Sequence, residues 1–184
     1  MPDTSRFLTA LGRVLRGLTQ GRGSGAANGS ADAAGAGVLT EERASPGRAG
    51  ASATVEVDAA RLRGVRLAHA PSRDGEPDPG EVVWTWVPYE EHDGRGKDRP
   101  VVIVAAGAPG EYLAVQLTSK PHDGDRDHVS LGTGPWDPEG RPSWARIDRV
   151  FRVHADGMRR EAAALDAERF ARIAEALRAR YGWR

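Results

Sequence analysis

Residues 79–106 read PGEVVWTWVPYEEHDGRGKDRPVVIVAA. Two β-prone runs lie in this stretch. The run from Glu81 to Val87 is rich in Val and Trp, and the run from Pro100 to Ala105 is almost wholly Val and Ile. Between them, Pro88 to Asp98 is polar, with two Gly and charges of both signs. Two such runs joined by a polar loop predict a long antiparallel hairpin. Arg99 stands where the loop hands over to the second strand. Rigid backbone there pins the base of the side chain while the guanidinium faces solvent or a ligand. That geometry suits phosphate, although an ordinary strand-edge Arg occupies the same kind of position.

Working outward from the hairpin, EYLAVQLT at residues 111–118 alternates and predicts a third strand. Leu113, Val115 and Leu117 share its apolar face. Tyr112, Ala114, Gln116 and Thr118 share the other, where a site would be built. Residues 120–142 form a long polar stretch with a short apolar break at 128–131. SWARIDRVFRVH at 143–154 alternates again, and Asp156-Gly157 marks a turn. Asp166 caps a predicted helix over residues 167–181, with Leu165 and Phe170 at the staple positions flanking its start. Phe170, Ile173, Ala174, Leu177 and Tyr181 form one core-facing stripe, and Gly182 ends the helix. Many short strands and one or two helices make a mainly β, α+β fold: a small, partly open barrel with a C-terminal helix packed on it.

The N-terminal part is of a different kind. In residues 1–20, Phe7, Leu8, Leu11, Val14, Leu15 and Leu18 recur at helical spacing among Arg6, Arg13 and Arg16. This predicts a basic amphipathic helix, which either contacts a membrane or partner or folds back on the body. Charges and Gly interrupt it where a secretory signal would be continuously apolar. Residues 21–53 are Gly, Ala and Ser with scattered charges and no apolar periodicity. Such a segment buries too little to offset its ordering entropy and is expected to be a flexible linker. Residues 54–78 are a short lead-in: TVEV reads as a strand, DAARLRGVRL is helical or extended, and the rest is loop.

Composition narrows the chemistry. The 184 residues carry 26 Lys plus Arg and 26 Asp plus Glu, for a formal net charge of zero. A nucleic-acid site must therefore come from local clustering of Arg. The absence of Cys removes disulfides, thiolate metal sites and Cys nucleophiles together, and is consistent with a reducing cytosol. No run approaches the roughly 20 apolar residues of a membrane span.

Asp123, Asp125 and Asp127 alternate like the opening of a calcium loop. His128 and Gly134, however, stand where that loop needs Gly and Glu. GRGKD at 94–98 is a basic loop tip without the spacing of a phosphate loop. His92, His122, His128 and His154 lack helical metal-pair spacing, so no metal or other cofactor is expected. No nucleophile-elbow pattern supports a Ser-His-Asp triad. Arg99 at one strand start and Thr118-Ser119 at the next strand's end remain, and antiparallel pairing brings these ends to one rim.

These residues resemble the MazF/PemK family, the toxin components of type II toxin–antitoxin systems. The resemblance lies in Gly80-Glu81-Val82-Val83-Trp84, in Arg99-Pro100-Val101-Val102-Ile103-Val104, in Leu117-Thr118-Ser119 and in LDAERFARIAEAL at 165–177. It covers residues 79–184. It implies an SH3-like barrel, a homodimer, a cytoplasmic location, and metal-independent cleavage of single-stranded RNA under the control of an antitoxin. It also implies Arg99 and Thr118 as the catalytic pair. Ser119, Trp84 and the loop bearing Arg95 and Lys97 correspond to the RNA groove. The first 78 residues, the acidic character of 120–142 and the neutral charge depart from the family.

The chemistry agrees with the carry-over. Metal-free cleavage needs the ribose 2′-oxygen to attack its own phosphate while the enzyme stabilises the phosphorane charge. A guanidinium does this by bidentate contact, and a Thr hydroxyl donates to the same oxygens. Trp84, Trp86 or Trp144 either stacks on bases or packs in the core. A barrel that binds nucleic acid or peptide without cutting is an alternative from a different class. So is an interaction protein tethered through the N-terminal helix.

Overall fold

A computed structural model of the protein describes residues 45–72 and 75–184. The expected N-terminal helix and most of the expected linker lie outside the described residues. Among the described residues there are eight strands: β1 (Val55–Val57), β2 (Glu81–Pro88), β3 (Gly96–Ala106), β4 (Glu111–Thr118), β5 (His128–Gly132), β6 (Ser143–Arg146), β7 (Val150–His154) and β8 (Arg159–Ala164), followed by the helix α1 (Ala167–Tyr181). All pairings are antiparallel. The main path runs β1-β7-β4-β3-β2-β8, and β6 bridges β4 to β5. The fold is thus mainly β with a C-terminal helix, as expected.

The unbroken Val-Ile run of β3 has a physical cause in this arrangement. On one face Val102 and Val104 join Val82, Val115 and Leu117 against Phe170, Ile173 and Leu177 of α1. On the other, Val101 and Ile103 join Val83, Val87, Tyr112, Phe151 and Val153. A strand buried on both faces reads as continuous apolar sequence. The same fact corrects the reading of β4. Its supposedly polar face is buried at Tyr112, Ala114 and Gln116, and accessibility returns only at Thr118.

α1 matches its sequence signals closely. The Asp166 side chain accepts the Arg169 N–H at 2.8 Å, and Gly182 adopts a left-handed φ of 69° while donating to Arg178 O. Leu165, Phe170, Ile173, Ala174 and Leu177 are buried. Tyr181 is half-buried because its hydroxyl reaches the Ile147 carbonyl at 2.9 Å.

Several boundaries differ from the sequence reading. β3 begins at Gly96, so Lys97 and Asp98 belong to the strand and Arg99 lies inside it, opposite Thr85. The chain passes so close to Trp86 that a Cβ at Gly96 would lie 2.6 Å from Trp86 Nε1. The alternating stretch 143–154 breaks into β6 and β7, and residues 128–132 pair with β6 as β5. β8, RREAAA, has little β character of its own and is a strand because β2 offers it a partner.

Residues 45–53, read as the end of the linker, pack against the sheet. Pro46 O accepts the Trp86 N–H at 2.8 Å and Gly47 O accepts that of Thr54 at 2.7 Å. Thr85, fully buried, bonds Thr54 Oγ1 and Gly157 O, each at 2.6 Å. Gly47 has φ 75°, and a Cβ there would lie 2.3 Å from Thr85 Oγ1. Backbone hydrogen bonds and close glycine contacts hold this segment, so a test for apolar residues misses it.

Candidate functional site

The register of β3 on β4 sets Val101 opposite Gln116. Two residues further toward the same end stand Arg99 and Thr118. Both line a cleft of about 350 Å³ together with Trp84, Lys97, Asp98, Ser119, Lys120, Trp136, Asp137, Arg141 and Ser143. Five of the six residues singled out from sequence therefore meet here. The sixth, Arg95, sits at a neighbouring cleft and is exposed, with its Nε 2.7 Å from Asp93 Oδ2.

The state of each polar group limits what the cleft can bind. Thr118 Oγ1 accepts the Lys120 N–H at 3.1 Å, which leaves its hydroxyl hydrogen free to donate. Arg99 is half-buried, and its side chain makes no hydrogen bond or ion pair with any described residue. The other cleft arginine is committed: Arg141 pairs with Asp137 at 3.0 Å and Glu139 at 2.9 Å. Asp98 Oδ2 holds Arg159 at 3.1 Å, while Asp98 Oδ1 is buried without a partner among the described residues. Arg159 in turn lies 5.5 Å over the ring of half-buried Trp84. Trp86 and Trp144 are only 5% and 6% exposed and belong to the packed interior, which takes them out of the stacking role.

Arg99 also lines a second cleft, about 470 Å³, with Tyr89, Glu90, Arg95, Gln116, Arg146 and Arg149. Here carboxylates neutralise the arginines. Arg146 forks onto Asp148 at 2.7 and 2.8 Å and also meets Glu90. Arg149 Nε donates to Glu56 at 3.0 Å. Burial pushes the Glu56 carboxyl up, but the hydrogen bond and charge of Arg149, with His92, outweigh it and hold it below the usual range. The hydrogen bond from Arg146 likewise lowers Glu90. Arg99, which lines both clefts, is the one arginine of either that no described carboxylate compensates.

Sequence reasoning missed Asp98, Trp136, Asp137 and Ser143 as cleft residues. The last three sit in or just after the long polar stretch, where no periodicity marks them. Trp136 is held by its indole N–H on Ser143 Oγ at 3.1 Å, a contact visible only once β6 is in place.

The chain matches the family model of the PemK-like, MazF-like toxin of type II toxin-antitoxin system over residues 78–180, more than half its length, and belongs to that family. Among solved structures, MazF from Deinococcus radiodurans is 22% identical with a TM-score of 0.45, covering 58% of this chain and 96% of that one. A MazE-MazF complex from the same organism is 20% identical with a TM-score of 0.42, at 58% and 96% coverage. An endoribonuclease from Mycobacterial species is 19% identical with a TM-score of 0.41, at 58% and 92%. No curated protein matches the chain.

Proposed function

We propose that this protein is a metal-independent endoribonuclease that cleaves single-stranded RNA in the cleft between β3 and β4, within an SH3-like, partly open barrel. One observation carries the reading: an uncompensated guanidinium, Arg99, shares a cleft with a hydroxyl free to donate, Thr118. In the reaction the ribose 2′-oxygen bonds to the adjacent phosphorus and the 5′-oxygen leaves. The products are a 2′,3′-cyclic phosphate and a 5′-hydroxyl.

Arg99 binds two non-bridging oxygens and stabilises the charge that grows on them. The Thr118 hydroxyl donates to the same phosphoryl group, with Ser119 beside it. Lys97 and Lys120 attract the flanking phosphates. Trp84 stacks on an unpaired base, and Asp98 Oδ1 supplies an acceptor for a substrate hydroxyl or base amino group. The cleft carboxylates Asp98 and Asp137 are each bound to an arginine, which leaves no open carboxylate pair for a catalytic ion. Such a protein works in the cytoplasm as a two-fold dimer with both subunits shaping the groove. An antitoxin controls it by occupying that groove.

A second reading is a barrel that binds nucleic acid or peptide without cutting: the carboxylates that neutralise Arg95, Arg146 and Arg149 remove the extended basic surface an RNA substrate would use. Digestion of a defined RNA in EDTA with mapped ends separates the two. Cyclic-phosphate ends that disappear with Arg99→Ala support the nuclease; retention of intact RNA on the protein supports the binder.

A further inference from the structure

We propose that His122, Asp125 and His128 form a binding site for a divalent transition ion such as Zn²⁺, Ni²⁺ or Co²⁺, outside the cleft and independent of its function. Among the described residues this is the one place where three such donors converge, with their ligand atoms all within 4.8 Å of one another. Sequence spacing hides it, because the three are joined by turns and not by a helix face.

Two successive turns build the site. Asp125 N donates to His122 O at 3.2 Å, and His128 N donates to Asp125 O at 3.3 Å. A repeat of three residues brings positions 122, 125 and 128 to one side of the loop. Asp127 N donates to Asp125 Oδ1 at 2.9 Å, which orients the carboxylate so that Oδ2 faces both imidazoles. His128 opens β5 opposite Arg146, and Asp127 O accepts the Ile147 N–H at 2.8 Å. The donors are therefore mounted on a paired strand end.

The distances suit an ion. Asp125 Oδ2 lies 2.9 Å from His128 Nδ1 and 3.4 Å from His122 Nδ1. With metal–ligand bonds near 2.1 Å, adjacent ligands stand about 3.0 Å apart in an octahedral site and about 3.4 Å in a tetrahedral one. The two rings stack at 3.6 Å with planes 4° apart. Both Nδ1 atoms face the carboxylate, and to ligate one ion the stacked rings would have to rotate apart until both in-plane lone pairs converge on it.

Two nitrogens and one carboxylate select borderline ions. Mg²⁺ and Ca²⁺ demand oxygen-rich shells. Three protein ligands leave room for water. The ion would brace the loop that starts beside Ser119 and Lys120 at the cleft wall.

The test uses the full-length, tag-free chain, titrated with Zn²⁺, Ni²⁺ and Co²⁺ by calorimetry, with Mg²⁺ and Ca²⁺ alongside. One transition ion per chain is expected, with no Mg²⁺ or Ca²⁺ binding, and Co²⁺ should give absorption bands of nitrogen–oxygen ligation. His122→Ala and Asp125→Asn should each weaken binding by more than the ~10–100-fold typical of losing an outer-shell partner. The exposed His92 serves as a control whose Ala variant leaves affinity unchanged. His122 is 25% exposed, so its variant folds even if that of the 7% exposed His128 does not. No saturable binding, or binding that survives His122→Ala with Asp125→Asn, overturns the proposal.

Discussion

Replacing Arg99 with Ala removes the one arginine of the cleft that no described carboxylate compensates. Its effect should fall on catalysis and hardly at all on stability. Loss of a single donor to a developing charge costs at least ~100-fold in rate, about 2.7 kcal/mol of transition-state stabilisation. Because Arg99 has no described partner, truncation strands no buried carboxylate, and stability should change by ~1 kcal/mol or less. Arg149 supplies the contrast. Its side chain is 8% exposed and bonded to Glu56 and to Pro88 O, so Arg149→Ala should destabilise by ~1–3 kcal/mol through stranded acceptors. Thr118→Ala should match Arg99→Ala in rate, since the Lys120 N–H it releases is at an exposed residue. Arg99→Lys should recover little, because an ammonium cannot make the bidentate contact. The assay is single-turnover cleavage of a fluorogenic RNA in EDTA, with urea unfolding of each variant in parallel. A folded Arg99→Ala protein that keeps more than a tenth of wild-type activity would refute the assignment.

The remaining expectations concern assembly and stability. Residues 45–184 should sediment as a two-fold dimer at micromolar concentration, and a strict monomer would remove the two-subunit groove from the proposal. Glu56 and Asp148 titrate below their ordinary values of 4.5 and 3.8: burial raises each, and the arginine bonded to it more than offsets that. A depressed folded pKa stabilises above the unfolded value and is lost as pH falls through the folded one, so the urea midpoint should be level above about pH 5 and drop below 4.5. Glu56→Gln should be less stable than wild type at pH 7, with a gap that narrows on acidification; a gap constant with pH counts against this ion pair. Gly47→Ala combines a left-handed φ of 75° with a Cβ 2.3 Å from Thr85 Oγ1, so it should lower stability by ~1–3 kcal/mol. An unchanged thermal midpoint would mean that residues 45–53 do not hold the sheet.

What sequence alone determined were the elements whose causes are local. α1 carries its cap, staple, stripe and terminal glycine within the 18 residues from Leu165 to Gly182, and each signal acts over three to five positions. The ends of β4 and the core of the hairpin were equally legible, because alternation and Val-Ile density are read along the chain. That Arg99 and Thr118 meet in one cleft also followed from antiparallel connectivity.

Tertiary structure decided everything that depends on a distant partner. β8 is a strand only beside β2. Residues 45–53 are held by groups on β2 and by Gly157. Arg149 is neutralised by a Glu56 that stands 93 residues away, which is why the second cleft is not the basic surface its arginines suggest. The free state of Arg99 is decided the same way: carboxylates are plentiful in its neighbourhood of sequence, but Asp93 and Asp98 are taken by Arg95 and Arg159. Local hydrogen bonds and side-chain periodicity are written into a short window of residues. The pairing of charges is a competition among all the groups that folding brings within a few ångströms, and only the folded chain settles it.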